Sequence, residues 1–260
     1  MDNGIRCKIM TSKTIRAIAL TTSRIVKKGD RIDELFLESV RESNLHLADG
    51  DVLVIASKIV SKAEGRVVRA SDIRVSKRAR GIADHNGFNP IHVEVALREA
   101  REVIVTDGVL ITETDSGLVC NFSGVDKSNA PEDEYILLPK NPDISAERIH
   151  DGLVKSTGMK LAVVVSDTQG RPWRKGSINI AIGCAGINAF KHNKGKRDLH
   201  GRILKRSSVC QIDELASFAE PLMGQAGEKV PFVIVRGYEY ADGDEKAIDV
   251  IRLKGEDLFR

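Results

Sequence analysis

Four short stretches of this sequence end on residue types that could bind a cation or a phosphate. In "LAVVVSDTQG" (161–170) an apolar run stops on Ser166, Asp167 and Thr168. A carboxylate followed by a hydroxyl at a strand end offers two hard oxygen donors to one small volume. That suits Mg²⁺ or Mn²⁺, which keep waters and substrate phosphates in their remaining positions. The competing reading is a turn, with Asp167 as its cap, Thr168 bonding the local backbone and Gly170 allowing the bend. In "NFSGVDKSNAP" (121–131) Asp126 closes an apolar run and Asn129 follows it. The pair could serve a metal and a phosphate or ribose, or form an Asx-turn before Pro131.

The other two stretches favour phosphate. "ASKIVSKAEG" (56–65) puts Ser57 and Lys58 at a strand end and Lys62 one step further on. Hydroxyls and lysines there suit phosphate oxygens, although a solvated surface would use the same residues. The GxxxxGK[ST] pattern is absent, so this is no Walker A loop. "PLMGQAGEKVP" (221–231) ends a helix on Gly224 and Gly227 beside Gln225 and Glu228. Such a loop exposes backbone groups to a nucleotide and a Gln carbonyl to a hard cation, whereas a plain glycine cap is the alternative. Pro221 is expected to kink this helix. Together the donors fit metal-assisted phosphoryl transfer onto an anionic acceptor better than a hydrolase triad. The six histidines form no HExxH and lie near no GxSxG, and His85 and His92 read as polar surface residues.

Composition narrows the class further. With 260 residues, 42% hydrophobic and 30% charged, the chain can form one large globular unit or two smaller ones. No run approaches the roughly 18 apolar residues of a membrane span, and the N-terminus lacks a secretory signal's apolar core. The four cysteines, Cys7, Cys120, Cys184 and Cys210, form no CxxC pair and read as idle thiols in a reducing cytoplasm. A formal charge of +3 with 4% aromatic residues gives nucleic-acid binding little support. Basic residues do cluster in "RPWRKG" (171–176) and "KHNKGKRDLHGR" (191–202), where Arg171, Arg174, Lys175, Arg197 and Arg202 could hold an anionic substrate or form a solvated face.

The elements that must carry these residues mix strands and helices without regular β-α-β alternation. That predicts an α+β fold rather than a doubly wound sheet. Strands are expected at "AIAL", "VLVIAS", "VIVTDG", "VLITET", "LVCNFSGVD", "YILLP", "LAVVVS" and "FVIVRG". Helices are expected over "DRIDELFLESVRESN", "PIHVEVALREAREV" and "QIDELASFAEPLMG", and over "SAERIHDGLVKSTG" with Ser145 as N-cap and Gly158 as stop. The chain reads as a single unit over 1–260. A division into two lobes would fall near 131–143.

The order of these motifs resembles that of the coenzyme F420-0:gamma-L-glutamyl ligase family. "GDVLVIASKIVSKAEGRVV", "GVDKSNAP", "VVVSDTQGRPWRKG", "IAIGCAGI", "RDLHGR" and "DELASFAEPLMGQAGEKVPFVIVRG" occur in the family's sequence, and the likeness runs from about Ile18 to the C-terminus. It implies GTP-dependent ligation of L-glutamate to F420-0, with a second gamma-linked glutamate in some members. It also implies a fold of mixed, largely antiparallel sheets with flanking helices, and an intertwined homodimer. A stand-alone ligase of archaeal type matches better than mycobacterial relatives, which carry a C-terminal nitroreductase-like domain.

Residue by residue, the resemblance implies GTP contacts at Ser23, Arg24, Ile25 and Val26, at Ser57, Lys58, Lys62 and Asn129, and along Met223, Gly224, Gln225, Ala226, Gly227, Glu228, Lys229 and Val230. Asp126 and Asp167 would bind one Mg²⁺ or Mn²⁺, Thr168 and Gln225 would serve a second, and K⁺ would activate. Lys62 and Asp167 would be the catalytic side chains. Two departures stand out. Gln225 replaces a glutamate found in some relatives, and "TSRIV" (22–26) lacks the Leu-Pro character of the family's first nucleotide contact. The N-terminus is also extended, which makes Met10 a candidate start. Rival readings are an amide ligase acting on another carboxylate or with another nucleotide, and a non-catalytic nucleotide- or RNA-binding protein.

Overall fold

A computed structural model describes residues 13–259; Cys7 and Met10 lie outside the described residues. The elements run β1 (Arg16–Leu20), α1 (Ile32–Glu42), β2 (Val52–Ala56), α2 (Ser57–Ala63), β3 (Val67–Arg69), α3 (Lys77–Asn86), α4 (Pro90–Glu99), β4 (Ala100–Val105), β5 (Ile111–Thr114), β6 (Val119–Asn121) and β7 (Glu134–Ile136). They continue with α5 (Pro142–Thr157), β8 (Ala162–Arg171), β9 (Arg174–Ala185), β10 (Phe190–His192), β11 (Ser208–Cys210), α6 (Gln211–Met223) and β12 (Phe232–Arg236).

The apolar runs build a five-stranded sheet in the order β1-β12-β2-β8-β9. Here β2 and β8 are parallel, and the other neighbouring pairs are antiparallel. Smaller antiparallel sheets join β4-β5-β6, β3-β7 and β10-β11. This is the expected α+β class with mixed, largely antiparallel sheets. Among the described residues no helix is long and apolar enough to cross a membrane.

The central strands are apolar on both faces because both faces are covered. One core packs Leu53, Ile55, Val163 and Val165 against Leu35 and Phe36 of α1 and Ile149 and Leu153 of α5. The other packs Val52, Val54, Val164 and Val233 against Ile212, Leu215 and Ala219 of α6. A third core draws its buried members from residues 79–137, including Ala79, Ala83, Val93, Ala96, Val125 and Tyr135.

Helices α5 and α4 each differ from the sequence expectation at one end. Helix α5 starts at Pro142, capped by Asn141, whose Oδ1 accepts from Ile144 N at 3.1 Å. Proline suits the first helical position, so the helix begins a turn before Ser145, and Ser145 Oγ donates to Glu64 Oε1 at 2.5 Å instead. The expected stop at Gly158 holds, with a left-handed φ of 68°. Helix α4 ends at Glu99, because Ala100 is already extended and opens β4. Helix α6 covers the expected span, running from Gln211 through Pro221 to Met223.

Candidate functional site

The geometry of the site follows from one ladder. Parallel pairing sets Ala56, the last residue of β2, beside Ser166, midway along β8, which runs on to Arg171 where the sequence suggested a strand end. The next residues, Ser57 and Asp167, are therefore neighbours, and Ser57 Oγ donates to Asp167 Oδ1 at 2.5 Å. Because α2 begins at Ser57 with no intervening loop, Lys58 and Lys62 leave the same helix one turn apart. Lys58 Nζ lies 2.7 Å from Asp126 Oδ2 and 2.5 Å from Ser128 Oγ. Lys62 Nζ donates to the Asn129 carbonyl at 2.8 Å. Asn129 has a φ of 55°, and its side-chain amide donates to Ala226 O at 2.9 Å.

The segment that presents Asp126 is unusual backbone. Phe122, Ser123 and Gly124 all have positive φ. The turn is held by the buried Ser123, whose N–H donates to Thr112 Oγ1 and whose hydroxyl donates to Ala96 O. A Cβ on Gly124 would lie 2.5 Å from Leu138 Cδ1, so glycine is required by space as well as by φ. His92, expected on the surface, is partly buried behind this turn. Its Nε2 contacts Val125 O at 3.0 Å, its ring stacks on Phe122 with centroids 4.4 Å apart, and burial lowers its pKa.

On the other side of β8, Thr168 Oγ1 lies 2.9 Å from Asn179 Oδ1 and 3.1 Å from Gln225 Oε1. Gln225 follows α6 in a loop that turns at Gly224, where φ is 67°. A Cβ at Gly224 would sit 2.3 Å from Glu228 Cδ, and the Glu228 carboxylate in turn accepts from Ala226 N at 2.8 Å. The resulting cleft has a volume of about 520 Å³, enough for a nucleotide-sized ligand.

Every nucleotide contact expected from the sequence lines this cleft except Glu228, which braces its loop from behind. Asp167, Thr168 and Gln225 also line it, whereas Asp126 adjoins it through Lys58. The expected substrate-binding arginines and lysine lie elsewhere. Arg171, Arg174 and Lys175 form the tip of the β8–β9 hairpin, and Arg171 Nη2 is 3.3 Å from Lys175 O. Arg197 and Arg202 sit in the β10–β11 loop, where Arg197 Nη1 donates to Gly201 O. Asn179 lines the cleft without having been singled out from the sequence, and Ser166 lines it without having been assigned a ligand there.

The charges are tuned in opposite directions. Burial pushes the Asp167 carboxyl up to about 6, against the hydrogen bond from Ser57 and with further upward pressure from Asp126. Burial also acts upward on Asp126, but bonds from Lys58 and Ser128 outweigh it and hold that carboxyl below its ordinary value. Burial, then repulsion from Lys58, lowers the pKa of Lys62. The thiols of Cys120, Cys184 and Cys210 are free and raised to about 12 by burial, so they remain unreactive.

The donor set fits a hard divalent cation. Asp126, Asp167, Thr168 and Gln225 offer only oxygen, and Lys58 already sets a positive charge on Asp126. Among the described residues no three His, Cys, Asp or Glu side chains converge to hold a metal. Two carboxylates supplemented by neutral oxygens suit an ion that completes its shell with water and phosphate rather than an all-protein cage.

A family model for F420-0:Gamma-glutamyl ligase matches residues 21–237. The chain belongs to this family. It is 42% identical over 251 residues to the coenzyme F420:L-glutamate ligase of Methanothermobacter thermautotrophicus, covering 95% of this chain and 99% of that protein. It is 47% identical over 215 residues to the protein of that name from Methanocaldococcus jannaschii, covering 82% and 86% respectively. The like-named protein of Methanopyrus kandleri is 42% identical over 252 residues, covering 95% and 98%. The matched span of the F420-0:gamma-glutamyl ligase family contains every residue that lines the cleft.

Proposed function

We propose that the protein joins L-glutamate to the terminal carboxylate of coenzyme F420-0 at the expense of GTP, adding a second glutamate through a gamma-linkage in the same site. One observation carries the nucleotide part of this reading: two lysines of one short helix and the oxygen donors Asp167, Thr168 and Gln225 line a single cleft, which Asp126 adjoins through Lys58. That combination serves phosphoryl transfer, in which positioning and charge neutralisation supply most of the catalysis.

A free carboxylate is a poor acyl donor because its oxygen leaves poorly. In the proposed sequence a carboxylate oxygen of F420-0 attacks the γ-phosphorus of GTP. The new O–P bond forms as the bond to the β-phosphate oxygen breaks, releasing GDP. The glutamate amine then attacks the acyl carbon, a C–N bond replaces the C–O bond, and phosphate and one proton leave. Lys58 and Lys62 would hold the phosphates and offset charge during transfer. Asn129 and the loop from Met223 to Val230 would enclose the nucleotide, with Ser23–Val26 closing the other wall. Mg²⁺ or Mn²⁺, held by Asp126 and Asp167 and by Thr168 and Gln225, would supply Lewis-acid neutralisation of the β- and γ-phosphate oxygens. K⁺ as an activator and a homodimer as the working assembly belong to the same reading.

Mass spectrometry tests it directly. F420-0 incubated with the protein, GTP, Mn²⁺ and glutamate is expected to gain one or two glutamyl residues, with GDP released in step. GDP release that is indifferent to glutamate or F420-0 would overturn the ligase assignment.

A further inference from the structure

Asn179 lies between two of the proposed cation ligands and is not itself one of them. It stands on β9 directly opposite Thr168 in the β8–β9 ladder and is 5% exposed. Its Oδ1 is 2.9 Å from Thr168 Oγ1 and 3.5 Å from Gln225 Nε2. Thr168 Oγ1 is also 3.1 Å from Gln225 Oε1. A threonine hydroxyl has one proton and two acceptor lone pairs, so it can donate to only one of these oxygens.

The choice decides what the pair can bind. With the proton on the shorter contact, to Asn179, the lone pairs of Thr168 and the oxygen of Gln225 face each other with no proton between them. Two bare hard oxygens at that separation repel each other, and a cation relieves the repulsion. With the proton turned toward Gln225, the same two oxygens satisfy each other and the position is closed to a cation. The shorter of the two contacts is the one to Asn179, which favours the first arrangement, and the surroundings fix both partners in place. Gln225 Nε2 donates to Glu220 Oε1 at 3.1 Å, which keeps the amide oxygen turned toward Thr168. Ser217 Oγ donates to the Asn179 carbonyl at 2.7 Å, anchoring that residue to α6, the helix that leads into Gln225.

We propose that Asn179 is the positioning residue of the second cation site: its amide oxygen takes the Thr168 proton and so keeps Thr168 Oγ1 and Gln225 Oε1 available as ligands. This rests on the reading of Thr168 and Gln225 as ligands of a second ion. It assigns Asn179 an action on the cation through those two side chains.

The test is a Mn²⁺ titration of the full chain with GDP present, followed by the electron paramagnetic resonance signal of free Mn²⁺. The wild type is expected to bind two ions. Asn179→Leu, which keeps the volume and removes the acceptor, is expected to weaken one of them by roughly 10–100-fold and leave the other unchanged. Asn179→Ala serves as the second truncation should the leucine variant fold poorly by circular dichroism. Asn179→Asp retains an acceptor and is expected to retain both ions. Two ions at wild-type affinity in the folded truncations would overturn the role of Asn179 while leaving the two-ion reading standing. An aspartate variant that loses the second ion as fully as the leucine variant would do the same. A wild type that binds only one ion would remove the two-ion reading, and this inference with it.

Discussion

On one face of β8, midway along the strand, lies Asp167, beside Ser57 and near the Asp126–Lys58 ion pair; on the other lies Thr168, in contact with Asn179 and Gln225. Alternation along the strand sends these consecutive residues to opposite sides. The first half works with charge, and Lys58 is a counter-ion that a stronger cation can displace. The second half works with neutral oxygens, whose value depends on which partner takes a single proton. Charge tolerates small errors of position because Coulomb attraction falls off slowly; a neutral pair does not. The second half therefore needs supporting residues that the first can do without.

The sharpest break in this comparison is removal of charge. Asp167→Ala is expected to reduce metal-dependent GDP formation by on the order of 10³-fold, with the far-ultraviolet circular dichroism spectrum preserved. Near-normal turnover would take the charged half out of the mechanism. Thr168→Val keeps shape and removes the hydroxyl. Its expected loss is smaller, about 10–100-fold at limiting Mn²⁺, and is recovered as Mn²⁺ is raised. A loss equal to that of Asp167→Ala, unmoved by added Mn²⁺, would erase the distinction between the halves.

Adding charge is the converse experiment. Gln225→Glu gives the neutral half a carboxylate and is expected to tighten Mn²⁺ binding by about tenfold, read by calorimetry with GDP present. An unchanged affinity would argue that residue 225 does not touch the ion.

The last comparison is of stability. Asp167, raised to about 6, keeps its proton in the folded chain over a range where the unfolded chain has released it. The folded state then binds more protons, so the metal-free protein loses stability as pH rises from about 4 through 6, by roughly 1–3 kcal/mol from this group. Asp126 has the opposite sign: its lowered pKa contributes stability above the ordinary carboxylate range that is lost as pH falls through it. Urea unfolding in a chelator at stepped pH should show the Asp167 slope flattened in Asp167→Asn. Parallel profiles for the two proteins would remove this account of Asp167.

Local pattern made some of this molecule legible and left other parts silent. The apolar runs that became β2, β8 and β12 were readable because both of their faces are buried. Helix α3 was not, because "KRARGIADHN" is strongly polar and buries only Ala79 and Ala83, with Ile82 partly buried against the third core, so few apolar residues mark its inner face. Its Ser76 cap and the left-handed Gly87 after it were the available signals. Helix α2 was missed because seven residues starting directly at a strand end are too few to show periodicity. The site stretches could be read from residue type and family likeness. Asn179 could not, because it is embedded in "SINIAIGCA" and its role depends on a cross-strand register that no local pattern encodes. His92 looked like surface for the same reason: what covers it is a left-handed turn some thirty residues away.

The third core has a consequence for how long the protein lasts in a cell. Asp126 and Asn129 follow a buried residue of that core, Val125, whereas Asp167 and Thr168 extend the five-stranded sheet. Without ligand, the seam between these packing units at the cleft is crossed by the contacts of Lys58, Lys62 and Asn129. A cation and a nucleotide bound across that seam would suppress its local opening by mass action. Proteases cut opened chains, so a molecule holding ligands across the seam would outlast an empty one.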